Sequence, residues 1–392
     1  MRRPLLIIFL TVFVNLIGFG IIIPLLPFYA QTFGASPLAV GLLFAAYSLS
    51  QLIAAPALGD FSDRWGRRPI LIFSLLGTVV SFVMLALAQS LWLLFLARVV
   101  DGLSGGNIST ARAYIADITE AEDRAKAYGL IGAAFGLGFI LGPALGGLFA
   151  RISYTAPIWV AAGLTLVATG LAWFWLPETV HKGKAGGLSP FRVLPEALKR
   201  PGLRLLLGAD FLYWFSFAVY QTTFALFGAM RFHFDASMTG YLLAGFGAIG
   251  VVVQVGLVGP VVKRFGERWT LIAGLVCGAL GLASAAWAPS TLAFAFTLIP
   301  AAVGVGLCNP SLSSLLSRAA HAEEQGRVQG AAGSLESLGR TLGPVWGNGA
   351  LERFSAGTAY TSAAAVLLVT ALVAFAYRPV AGADQGTGTR FG

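Results

Sequence analysis

Charged side chains are scarce in this sequence: Asp, Glu, Lys and Arg make up 11 % of 392 residues, against about 25 % in an ordinary soluble domain. Too few charges are present to coat two or three soluble domains, which excludes a soluble globular enzyme. Cysteine and histidine are also rare, at two and three residues. Cys277 and Cys308 fall inside apolar runs and read as small core residues. His181, His233 and His321 are far apart in loops, so no metal-ligand spacing exists. No H-E-x-x-H, G-x-x-x-x-G-K-[ST] or G-x-S-x-G string occurs. Intramembrane metalloproteases and ATP-driven pumps lose their main support. Strict apolar/polar alternation is missing too, which disfavours a β-barrel.

What is present is apolar length. Hydrophobic residues reach 57 % and mean hydropathy is +0.79, which excludes disorder and predicts an all-α polytopic membrane protein. A spanning helix needs about 20 residues. Apolar runs between charged or Pro/Gly-rich breaks predict twelve spans, at 6–29, 38–59, 69–89, 91–115, 127–150, 157–177, 203–229, 238–262, 269–288, 290–317, 329–350 and 357–377. The net charge of +9 is a topology signal and calls for no nucleic acid. With the N-terminus and alternate connections on one side, that side collects 20 of the 26 Lys and Arg residues, and the opposite side has Arg151, Arg231 and Arg353. The positive-inside rule then puts both termini in the cytoplasm, next to anionic lipid. Span 1 follows Arg2 and Arg3 without a small-residue cleavage site, so a retained helix is expected.

The chain repeats itself. GDFSDRWGRR from Gly59 matches GPVVKRFGER from Gly259, LGP at 141–143 matches 342–344, and GLSGGN at 102–107 matches GVGLCN at 304–309. The near-constant offset predicts two six-helix bundles related by an axis along the membrane normal. The expected division is a bundle at 1–177, a cytoplasmic linker at 178–202, a second bundle at 203–380 and a tail at 381–392. Within the linker, PFRVLPEALKR reads either as a short interfacial helix or as plain linker.

Buried charge marks the candidate sites, because an ionisable group at mid-membrane costs at least ~2.5–3.5 kcal/mol. In span 4, positions 98, 101, 105, 108 and 112 fall within an arc of about 80°. Arg98 and Asp101, three apart, make a structural ion pair or a proton site in which Arg98 tunes Asp101. Arg112 sits near the cytoplasmic end, where snorkelling is open to it. Span 7 sets Asp210, Tyr213, Trp214, Phe217 and Gln221 on one face, suited to an amphipathic or cationic ligand. Span 11 aligns Gln329, Gly333, Glu336 and Arg340. The Glu336–Arg340 pair is a static brace or a second proton or gating site. The loop residues Gly59, Asp63, Arg64, Gly66, Arg67 and Arg68 read as a latch, with Asp63 suited to a helix N-terminus.

These segments resemble a known family. GDFSDRWGRRP is similar to the signature loop of the major facilitator superfamily, and ARVVDGLSGGN to its second motif. GLGFILGPALGGL, with Gly138, Gly142, Pro143, Gly146 and Gly147, resembles the motif of its antiporting exporters. NLIGFGIIIPLLP and AYIADIT resemble the tetracycline-efflux-like branch of proton-coupled drug antiporters. The resemblance implies alternating access driven by a proton gradient, no cofactor, and a cavity that includes Asn15, Asn107 and Asn309. It implies that the Asp63 latch partner is span 11, and that span 5 seals the interface between halves. It also implies acids in spans 1, 3 and 9, where this chain has Asn15 and no acid at 69–89 or 269–288. The implied partners are protons, membrane lipids and a small amphipathic organic substrate, handled by a monomer in the cytoplasmic membrane of a prokaryote. A lipid or small-metabolite carrier, including an importer, is the alternative within transport. A receptor or sensor and an intramembrane enzyme are the alternatives outside it.

Overall fold

The computed structural model describes residues 3–105, 107–120, 123–179, 195, 198–320 and 324–377. Among these, thirteen α-helices are present: α1 (Arg3–Gln31), α2 (Pro37–Trp65), α3 (Arg67–Ala86), α4 (Leu91–Leu103), α5 (Asn107–Ile118), α6 (Arg124–Ala150), α7 (Ala156–Trp175), α8 (Pro201–Phe232), α9 (Ala236–Gly256), α10 (Val258–Ala286), α11 (Thr291–Ala319), α12 (Gln325–Arg353) and α13 (Ala356–Ala376). They form twelve spans in two six-helix bundles. Most of the expected linker, including the greater part of PFRVLPEALKR, and the tail 381–392 lie outside the described residues.

Ten helices are long and apolar enough to cross a membrane. The spans that fall short are α4–α5 and α12, which carry Arg98, Asp101, Glu336 and Arg340. Helices α4 and α5 fall short because the break in span 4 leaves them 13 and 12 residues long, whereas α12 falls short in apolar content.

The structure corrects the sequence reading in three places. Span 2 does not end at 59: α2 runs on to Trp65 and α3 starts at Arg67, so the residues expected in a loop from Gly59 to Arg68 are helical except for Gly66. Span 4 is not one helix over 91–115: it stops at Leu103, turns at Ser104 and restarts at Asn107. The cause is the glycine run. Gly102 and Gly105 bring the backbone against α2, where a Cβ on Gly102 would meet the Tyr47 carbonyl and Ser50. The arc expected through 105, 108 and 112 is broken, and Arg112 is exposed. Span 8 does not end at 262 but continues, with a turn at Leu257, to Phe265.

The repeat is visible in geometry as well as sequence. Gly66 (φ 111°) and Gly266 (φ 78°) each break the chain between spans in a conformation that L side chains rarely adopt. Ser90 caps α4 through the Leu93 N–H, and Ser290 caps α11 through the Ala293 N–H. Arg68 donates to the Trp173 carbonyl at 2.5 Å, and Arg268 donates to the carbonyls of Ala374 and Phe375. Where Arg67 pairs with Asp117 in the first half, Glu267 pairs with Arg318 in the second, at 3.2 Å and 2.8 Å. The contact is kept and its charges are exchanged.

The halves meet along two seams at the end opposite Arg3 and Ala376. In one seam, α6 lies on α9: Gly147 faces Ser237 and Gly240, and the Ser237 hydroxyl donates to the Gly147 carbonyl at 2.8 Å. In the other, α2 lies on α12, with Gly41 against Pro344 and Asn348. Lipid gives helices no hydrophobic reason to associate, so small residues that permit close backbone approach do this work.

Candidate functional site

In the first half, the buried pair is made by α4. Arg98 is 1 % exposed and Asp101 6 %, and Arg98 Nη1 donates to Asp101 Oδ2 at 2.8 Å. The guanidinium carbon lies 4.3 Å from the centroid of the Tyr47 ring on α2, so the ring face accepts part of the buried charge. The other guanidinium nitrogens, Nε and Nη2, have no hydrogen-bond partner among the described residues. Gln51, one turn beyond Tyr47, donates to the Gly105 carbonyl at 3.1 Å, which fastens the break in span 4 to α2. The Thr78 hydroxyl of α3 donates to Asp101. Asn15 and Phe19 of α1, Tyr47, Gln51, Thr78 and Asp101 line one small polar pocket.

The second half answers with a small apolar pocket, lined by Tyr213, Phe217, Tyr220, Phe246, Val305 and Cys308 among others. Tyr213 and Phe217 lie nearly parallel, 6.3 Å apart, and Trp214 stands edge-on to Phe217 at 5.7 Å. Asp210, 5 % exposed, accepts from Trp214. Glu336 and Arg340 of α12 pair at 3.6 Å. The Arg340 guanidinium lies 5.4 Å from the Phe19 ring and 5.9 Å from the Trp214 ring. It therefore stands between the two pockets, touching a lining residue of the first and a neighbour of the second.

The expected site residues thus divide. Asn15 and Asp101 line the first pocket, and Tyr213 and Phe217 the second. Asp210, Trp214, Glu336 and Arg340 stand beside the second. Gln221 is half-buried, Asn309 is exposed, and the side chain of Asn107 lies outside the described residues. Tyr47, Gln51 and Thr78 belong to the site and were missed. The available signal was Tyr47 and Gln51, two polar side chains one turn apart within a long apolar span.

The charged end of α2, the Gly66 break and the start of α3 are held entirely by their own half among the described residues. Asp60 pairs with Arg64 at 2.9 Å, Asp63 with Arg67, and Arg67 Nε with Asp117 at 3.2 Å. Gly66 frees the N-terminus of α3, and Glu178 caps it, accepting from the N–H groups of Arg67 and Arg68 at 2.9 and 3.2 Å. The acid at the N-terminus of α3 in this state is therefore Glu178, which lies in the expected linker, and not Asp63.

On the other helices, Gly138, Gly142 and Gly146 of α6 face Leu16, Gly20 and Ile21 of α1, while Gly147 faces α9. This helix is wedged between the halves at Cβ-free distances. The sequence profile of the Major Facilitator Superfamily matches residues 8–344 and again 255–390. The chain belongs to the major facilitator superfamily. It is a membrane transport protein of that superfamily and not an enzyme. It is 37 % identical over 353 residues to the class C tetracycline resistance protein of Escherichia coli, covering 88 % of each chain. It is 30 % identical to multidrug resistance protein 2 of Bacillus subtilis (strain 168), again over 88 % of each. The solved structure of the human organic anion transporter MFSD10 (TETRAN) superposes with a TM-score of 0.75 at 25 % identity, over 95 % of this chain and 99 % of that one.

Proposed function

We propose that this superfamily member exports lipophilic or amphipathic drugs in exchange for protons, by alternating access. The observation that carries the reading is the pairing of unlike pockets. One is polar and holds a buried carboxylate, the other is apolar and aromatic, and Arg340 stands between them. A substrate with one polar and one apolar end satisfies both, and Asp101, Glu336 and Asp210 supply the carboxyl groups a proton needs. The tetracycline and multidrug resistance proteins named above support export of drugs. Spans 3 and 9 lack the acids, and span 1 has Asn15 in place of the acid, that the resemblance implies for tetracycline exporters, so the reading names the substrate class and not tetracycline itself.

On the positive-inside orientation both termini are cytoplasmic and the two seams lie at the outer end. The state described is then closed outside and accessible from the cytoplasm. The protein works in this reading as a monomer in a prokaryotic cytoplasmic membrane, with anionic lipid against its basic loops. The decisive experiment uses purified protein in proteoliposomes with an imposed pH gradient. Gradient-driven movement of an amphipathic dye, abolished by an ionophore that collapses the gradient, is the expected result. Movement indifferent to the gradient would instead favour the lipid or metabolite carrier.

The latch reading gives a further expectation. Asp63 pairs with Arg67 in this state, and in the opposite state we place it at the N-terminus of α12, where a carboxylate is favoured. Asp63→Asn should reduce transport to a small fraction of wild type. Its effect on stability should stay within about 0.5 kcal/mol, as for surface positions. Wild-type transport rates from the variant would remove the latch.

Asp210 offers a test of substrate charge. A buried carboxylate attracts a cation more strongly in a partly dry cavity than in water. Asp210→Asn should weaken binding of a cationic dye several-fold more than that of its neutral analogue, measured on purified protein. Equal losses would make Asp210 a brace of the fold, and no loss for either dye would place it outside the cavity.

A further inference from the structure

The seam between α2 and α12 ends in a contact that neither half makes alone. Glu352 lies in the last turn of α12, and its Oε2 accepts the backbone N–H of Leu38, at the start of α2, at 2.7 Å. The two residues are 314 positions apart and belong to different bundles. Helix α2 does not need this acid in order to form. Ser36 already caps it from within its own half, accepting from the Ala39 N–H at 3.3 Å, and Pro37 occupies the first helical position. Glu352 binds a different free N–H, so what it adds is a tie between halves. The rest of the seam leads up to it. Gly349 lies on Leu38, and one turn deeper Asn348 and Pro344 lie on Gly41. Asn348 is fully buried and anchored in the second half through the Thr222 hydroxyl and the Pro344 carbonyl. The donated N–H and the Ser36 hydroxyl hold the Glu352 carboxyl below the usual carboxylate range, with Arg353 alongside. It therefore stays ionised at neutral pH.

We propose that Glu352 is the cross-half tie of the outer gate: its carboxylate caps the N-terminus of α2 only while the two halves are closed at that end. This rests on the alternating-access reading. The tie favours the state open toward the termini, because separating the seam leaves both the anion and the helix N-terminus to water. A carboxylate at an exposed helix N-terminus shifts such an equilibrium by about two- to fivefold.

Hydrogen–deuterium exchange of the purified full-length protein tests this without substrate or gradient, so its outcome is separate from that of the transport assay. The variants are Glu352→Ala and the charge-only change Glu352→Gln. A gate residue must loosen the seam it does not touch. Exchange should rise about two- to fivefold in Glu352→Ala at 341–350 and also at 237–243, on the α6–α9 seam, with a smaller rise in Glu352→Gln. Faster exchange confined to 36–41 would show an ordinary local cap and overturn the proposal. So would exchange unchanged at every one of these segments. A general rise that includes the Ser90-capped start of α4, far from both seams, would mean loss of the fold and would equally overturn a gating role.

Discussion

Asp101→Asn protein is expected to lose gradient-driven transport down to the rate of passive leak, while exchange of labelled for unlabelled substrate across the same membranes survives. The reasoning starts from burial. Arg98 and Asp101 are nearly inaccessible and bonded to each other, with Tyr47 beneath the cation and Thr78 on the carboxylate. Burial favours the protonated acid and the adjacent guanidinium favours the ionised one, so a small movement of α2 or α3 against α4 changes which form wins. Asn keeps the size and the hydrogen bonds to Arg98 and Thr78 but holds no exchangeable charge. Removing one partner of a buried pair also costs stability, about 3–5 kcal/mol in the worst case. For that reason retained exchange is the informative half of the result, because it shows a folded protein with an intact substrate site. If gradient-driven transport persists at the normal rate, Asp101 is structural, and Glu336 or Asp210 takes over as the candidate proton site.

The second large effect is expected at Gly41. A Cβ there would run into the Pro344 carbonyl and the Asn348 side chain, and backbone on both sides leaves little room to yield. Gly41→Leu should therefore prevent the α2–α12 seam from closing while leaving each bundle packed as before. Overpacking of this kind costs about 1–3 kcal/mol, which shifts a two-state equilibrium by roughly 5–150-fold. A cysteine introduced at Gly349, on the same seam beside Leu38, reports the change through its reaction with an impermeant maleimide. Labelling should be slow in the Gly349→Cys parent and at least about tenfold faster when Gly41→Leu is added. Protein lacking Gly349→Cys measures the background from Cys277 and Cys308. Unchanged labelling together with normal transport would mean that the close approach at Gly41 is not used in the cycle.

Much of the fold was legible because membrane insertion writes itself into composition. A span must be long and apolar, so its limits show as runs. Cytoplasmic loops are enriched in Lys and Arg, and the asymmetry in this chain is what the proposed orientation rests on. The repeat was legible because Gly66 and Gly266 sit at breaks that need positive φ, which keeps glycine recognisable at both places. The exchanged pairs Arg67–Asp117 and Glu267–Arg318 were not legible. Each residue alone reads as loop charge, and only folding shows that the contacts are equivalent. The break in span 4 was hidden for a related reason. Glycines at 102, 105 and 106 are consistent with close helix packing or with a turn, and the choice depends on α2 lying alongside with Gln51 ready to donate to the freed Gly105 carbonyl.

The sequence by itself determined a twelve-span polytopic protein of two similar halves, the helices that carry buried charge, and the pairing of Arg98 with Asp101 and of Glu336 with Arg340. These follow from local rules of length, spacing and the cost of charge in lipid. Only the tertiary structure decided which residues share a pocket, that Arg340 stands between the polar and apolar halves of the site, and that Glu352 reaches the start of α2. Those facts join positions tens to hundreds of residues apart. Helices in lipid are placed by close packing of small residues and not by hydrophobic burial, so a neutral glycine such as Gly41 sets the geometry while giving no hydropathy signal of its own.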